Sequence, residues 1–134
     1  MVMQLHKKGE LDGDMKDYMT TFMASIFRSV RFGAADSHGI ANMVRFNYFK
    51  EKGAFVRNDN GTYTLNYEKI TQAMNDLSSL ILTLQGNGDF DAVAKLVKEK
   101  GIIPEQLQKD LDRLKEKHIP VDIIFEQGTK VLGL

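Results

Sequence analysis

A mainly α-helical fold follows from three features of this 134-residue chain. Apolar residues recur at three- and four-residue steps through most of its length, the period of one helix face. Asp, Asn or Pro stands at the start of these runs and Gly at the end of most of them, as helix caps require. The period changes to two once, around an Asn-Gly turn, which signals a β-hairpin. The expected architecture is about five helices in an irregular bundle with one β-hairpin and an extended C-terminal tail.

The first strong segment runs from Met15 to Val30, where Met15, Tyr18, Met19, Phe22, Met23, Ile26, Phe27 and Val30 make a wide apolar stripe. Asp12 or Asp14 can cap its start, and Gly33 can supply the left-handed turn that ends it. The three Met of the stripe are read as core filling ahead of a pliable partner groove. A second helix should start at Asp36 or Ser37 and run from His38 to about Lys52, with Gly53 to stop it. It is apolar around much of its circumference, so it should lie between other elements. Ala54–Arg57 and Thr62–Leu65 then flank Asn58-Asp59-Asn60-Gly61, the hairpin, whose Asn60-Gly61 pair can take positive φ.

Asn66 caps a third helix, with Ile70, Ala73, Met74, Leu77, Leu80, Ile81 and Leu84 facing inward and Gly86 closing it. Asp89 caps a short fourth helix that Gly101 ends. Pro104 opens a fifth carrying Leu107, Leu111 and Leu114; Lys115, Lys117 and His118 suit its negative C-terminal end, and Pro120 forbids continuation. Val121–Phe125 and Thr129–Leu132 read as an extended, apolar tail. An exposed apolar strand recruits neighbours, so the tail either folds back or docks elsewhere, and the chain reads as a piece of a larger protein.

One domain, residues 1–134, accommodates this length. Hydrophobic residues at 43% and charged ones at 27% give an ordinary globular balance. Eighteen basic and eighteen acidic residues cancel, which argues against a nucleic-acid or polybasic membrane-surface role. The absence of cysteine excludes disulfides, thiolate zinc sites and a cysteine nucleophile. The first residues turn polar at once, with no secretory h-region, and no run reaches membrane-spanning length. A soluble, cytoplasmic protein is expected.

Metal ligation has little support, because His6, His38 and His118 are widely spaced and none has a partner at ligand spacing. Asn58-Asp59-Asn60-Gly61 lacks the distal Glu of a calcium loop. Gln85-Gly86-Asn87-Gly88-Asp89 follows a helix and ends in a negative charge, which suits a connection better than a phosphate cradle. The densest polar cluster spans Phe27 to Gly39, joining Arg28 and Arg31 at one helix end to His38 at the next helix start. Such a set can receive an oxyanion or carboxylate. It can equally be structural, with the arginines pairing locally while His38 merely begins a helix, and spacing alone leans that way.

The run Phe22–Gly33, then Ser37-His38-Gly39, then Phe46–Phe55, together with Ile81–Asp89 and Ile119–Ile123, resembles the dipeptidyl peptidase III family of zinc metallopeptidases. The likeness is to the branch in which that domain follows a Nudix hydrolase domain, and it covers most of the chain from about Met15. It implies a larger enzyme that removes dipeptides from peptide N-termini with a zinc-bound water as nucleophile. The family's zinc ligands lie in a His-Glu-x-x-x-His helix and a Glu-Glu-Cys-Arg helix, neither of which occurs here. This chain resembles the region just downstream, in the helical catalytic lobe.

By that resemblance His38 matches a histidine that helps hold the substrate or the transition-state oxygen, so it is the candidate catalytic residue. Asn42 stands where some members carry an Arg, and Arg28 and Arg31 match the branch motif without an assigned role. The resemblance thus implies the C-terminal subdomain of a dipeptidyl peptidase III-like hydrolase, shaping the substrate cleft and not catalytic alone. No metal or cofactor is expected in this segment and zinc is expected in the complete enzyme. The expected partners are the remaining catalytic region and a peptide substrate, with no nucleic acid and no membrane. Two other readings stay open: a stand-alone helical protein-interaction module using the tail and the Met stripe, and a small-molecule hydrolase using His38.

Overall fold

The structure is a computed structural model that describes residues 2–123 and 125–133. It contains, among the described residues, six α-helices, one antiparallel hairpin and a C-terminal 3-10 turn. Two compact units divide it, Met1–Ile103 and Pro104–Leu134.

In the first unit, α1 (Val2–Lys7) precedes α2 (Met15–Val30), α3 (Ser37–Glu51), β1 (Phe55–Arg57), β2 (Tyr63–Leu65), α4 (Tyr67–Asn87) and α5 (Phe90–Lys100). The α1 helix was not expected; its six residues are too few for a periodic signal, and α2 supports it. The caps fall where short polar side chains allow them. Asp14 accepts from the Lys16 N–H at 2.9 Å, Asn66 from that of Lys69 at 3.0 Å and Asp89 from that of Ala92 at 3.0 Å.

The α3 helix is the centre of this unit, meeting α2, α4, α5 and β1. It buries Met43, Val44, Phe46, Tyr48 and Phe49 around most of its circumference, as its composition predicts. Against it, α2 buries Met19, Met23, Ile26 and Val30. The hairpin supplies the rest of an aromatic cluster: Phe46 lies 5.4 Å from Phe27 and 4.8 Å from Phe55, and Phe27 lies 4.6 Å from Tyr63. Tilted and edge-to-face ring pairs of this kind add to area burial. The hairpin pairs Phe55 with Leu65 and Arg57 with Tyr63. Only Gly61 of its turn takes positive φ, at +78°; Asn60 instead accepts from the Thr62 N–H through its side chain at 3.1 Å.

Two expectations about α4 and α5 need correction. The α4 helix passes through Gly86 and closes at Gly88, whose φ of +64° allows its N–H to reach the Leu84 and Gln85 carbonyls. Either glycine can stop a helix, and the one followed by the Asp89 cap does so. The inward face of α4 also ends early: Ile70, Ala73 and Leu77 are buried, whereas Ile81 is exposed and α5 buries no residue at all.

In the second unit, α6 (Glu105–Glu116) buries Leu107, Asp110 and Leu111. His118 adopts φ +54° just past its end, the position that glycine usually holds, and the Ile119 N–H returns to the Leu114 carbonyl at 3.2 Å. Thr129–Leu132 coil into the 3-10 turn rather than extending. Ile123, Phe125, Val131 and Leu132 are exposed; the tail expectation at Ile124 lies outside the described residues. Among the described residues no helix is long and apolar enough to cross a membrane.

Candidate functional site

The α2–α3 corner gathers the polar cluster singled out in the sequence. Val30 anchors the end of α2 in the core, and the chain then turns through Arg31, Phe32 and Gly33, whose N–H groups bond back to the carbonyls of Arg28, Ser29 and Val30. Gly33 sits at φ +93°, which an L side chain resists. Its carbonyl oxygen packs on Gly39 so closely that a Cβ at Gly39 would lie 2.2 Å from it. Two glycines are therefore needed to fold the corner tightly against the first turn of α3.

Asp36 completes the corner. Its carboxylate accepts from the backbone N–H groups of His38 at 2.7 Å and Gly39 at 2.9 Å. These bonds, Gly39 first and His38 next, hold the Asp36 carboxyl below the usual carboxylate range. His38 thus starts a well-capped helix, yet its side chain is 97% exposed, with Nδ1 3.9 Å from the Asp36 carboxylate. A fixed backbone carrying a solvent-facing imidazole can offer a donor or acceptor to an approaching molecule. Beside it, Arg28 lies over the Phe32 ring at 5.8 Å. Asn42, one turn after His38, accepts from Arg45 at 3.2 Å.

The other candidates resolve into local structure. His6 Nε2 lies 2.9 Å from the Gly13 carbonyl oxygen. Asn58 of the calcium-loop lookalike donates to the hydroxyls of Thr62 and Thr64 within the hairpin, each at 2.9 Å.

Comparison with known proteins shows what the chain as a whole resembles. No protein-family model matches the chain. It is 40% identical over 117 residues to Nudix hydrolase 3 of Arabidopsis thaliana, an alignment covering 87% of this chain and 15% of that protein. The solved structure of dipeptidyl peptidase III from Caldithrix abyssi matches 90% of this chain with a TM-score of 0.83 and 36% identity. The enzyme of the same name from Corallococcus sp. strain EGB matches 92%, with a TM-score of 0.83 and 35% identity. This chain is dipeptidyl peptidase III-like. It spans 23% of the length of each of those two structures.

Among the described residues no group of three His, Asp or Glu is placed to hold a metal ion, and zinc sites take at least three protein ligands. The Asp36 cap beneath His38 is legible in the sequence, whereas the Gly33–Gly39 contact is visible only once the turn is built. Sequence reasoning missed Asn47, whose side chain donates to the carbonyls of Lys100 and Ile102, both at 2.8 Å, and ties the end of α5 to α3. Beside this tie, Lys100 pairs with Glu51.

Proposed function

We propose that this chain is the C-terminal subdomain of a dipeptidyl peptidase III-like hydrolase, in a Nudix-fused arrangement, and that it forms one wall of a peptide-binding cleft without being catalytic by itself. The observation that carries this reading is the contrast at His38: a nearly fully exposed imidazole on a backbone fixed by the Asp36 cap and the Gly33–Gly39 contact. Rigid support beneath an exposed titratable group serves an approaching ligand, because ordering is done before binding.

In this reading His38 donates an imidazole N–H to an oxygen of the bound peptide or of the transition state. The remaining catalytic region, including any zinc ligands, comes from the rest of a longer cytoplasmic chain. The purified 134-residue chain, incubated with zinc and a dipeptidyl-naphthylamide, is expected to give no turnover. Zinc-dependent release of naphthylamine by this chain alone would overturn the subdomain reading.

A further inference from the structure

A groove of about 470 Å³ lies between α3, α4 and α5 in the first unit, reaching Ser37, the residue before His38, and the Arg45 that is bonded to Asn42. That volume is in the range of small-molecule sites. Ile40 and Val44 of α3, Leu77 and Ile81 of α4, and Val93 and Val97 of α5 form its walls. Ser37, Arg45 and Gln85 are its polar lining, and among the described residues no acidic one lines it. The Arg45 guanidinium is steadied by the bond from Nη1 to Asn42 Oδ1 at 3.2 Å. Guanidinium carries five N–H donors in a fork that matches a carboxylate.

We infer that this groove binds a single-chain carboxylate amphiphile of the fatty-acid class, its tail along the apolar walls and its carboxylate on Arg45. Three observations select that class. A cavity of roughly 150 Å³ already admits a benzene ring, so the groove has room for a much longer apolar body. An extended peptide laid there would leave amide groups unpaired against aliphatic walls, which is unfavourable; an acyl tail has none to leave. The one charge among the described lining residues is positive, so the head group is anionic.

A second groove of about 440 Å³ provides an internal control. Met3, Met15, Met19 and Met74 line it together with Tyr18 and Ser25, and among the described residues no charged one lines it. It offers apolar contact without head-group selection.

The inference concerns this chain's own surface and stands independently of the hydrolase reading. Octanoate, decanoate and dodecanoate, titrated below their micelle concentrations, test it through methyl NMR. The expected result is saturable shifts at Ile40, Ile81, Val93 and Val97 but not at Met3, Met15, Met19 or Met74. Affinity should rise roughly fifteenfold for each two methylenes added. Arg45→Gln, at an exposed position, should weaken binding several-fold, and dodecyltrimethylammonium should not displace dodecanoate. Ala41→Leu, which fills the groove from exposed Ala41, should abolish binding while the helical circular dichroism is kept. Equal shifts in both grooves, equal affinity for the cationic amphiphile, or unchanged affinity in Arg45→Gln overturns the inference. So does absence of binding by all three carboxylates, the result expected if a segment of a longer protein covers this groove.

Discussion

The hairpin side of the first unit and its α4–α5 side are built from similar amphipathic elements but differ in what their apolar residues meet. Around α3, Phe46, Phe49, Phe55, Met23 and Ile26 are all fully buried, and four rings pack edge-to-face or tilted within one cluster. Along the second half of α4 and through α5, side chains of the same character stay in contact with solvent; Leu82 is 67% exposed and Phe90 78%. Periodicity reports that a helix has an apolar face, and burial depends on whether anything covers it. The first region is a finished core that can hold a site rigidly. The second is a surface whose apolar residues remain open to solvent.

The sharpest way to break that contrast is a pair of truncations. Phe46→Ala should cost about 3–5 kcal/mol, the range for a large ring lost from a packed core. Phe90→Ala should change stability by less than about 0.5 kcal/mol, as surface substitutions do. Urea denaturation reads both; comparable losses would show that the α4–α5 side is a core after all.

Gly39→Ala comes next. Its Cβ would press on the Gly33 carbonyl, so the corner must open, at a cost of about 1–3 kcal/mol. The backbone resonances of Asp36 and His38 should move with it in NMR spectra. A neutral effect would mean that the corner is looser than its close packing indicates.

Asn47→Ala tests how α5 is fastened. It removes two bonds to the carbonyls of Lys100 and Ile102, for a loss of about 1–3 kcal/mol. Amide exchange should quicken in α5 more than in α2. Uniform quickening would instead describe one cooperative unit with no weaker edge.

The smallest effect expected is the acid sensitivity of the Glu51–Lys100 pair. Hydrogen bonding and charge from Lys100 hold the Glu51 carboxyl below its ordinary value of 4.5. A carboxylate with a depressed folded-state pKa contributes stability that is fully present above that ordinary value and is lost as pH falls through the folded-state value. Glu51 is solvent-exposed although Lys100 is largely covered, so the contribution is modest. Glu51→Gln should flatten the stability profile below about pH 4.5 and lower the plateau above it. A wild-type profile with the same acid slope as the variant would remove the pair from the account.

Much of this architecture is legible because it is local. Asp14, Asp36, Asn66 and Asp89 announce helix starts through side chains that reach only two or three residues, and the central place of α3 follows from its apolar circumference. Gly86 misled because glycine marks where a helix can end, and Gly88, two residues on, has the better-capped successor. The Asn47 bonds cross 53 and 55 residues, a separation about which periodicity says nothing. His38 is a different case again. Its residue type and spacing fit a plain helix start, and the family likeness made it a candidate; the structure adds its exposure and the rigidity beneath it.

The most direct test of that site replaces His38 with Ala in the longer hydrolase proposed to carry this segment. The account predicts a loss of about a hundredfold in kcat/KM, the scale of one lost oxyanion donor, with the melting temperature unchanged because the His38 side chain is exposed. Full activity in the variant, or a loss that only follows unfolding, would contradict it.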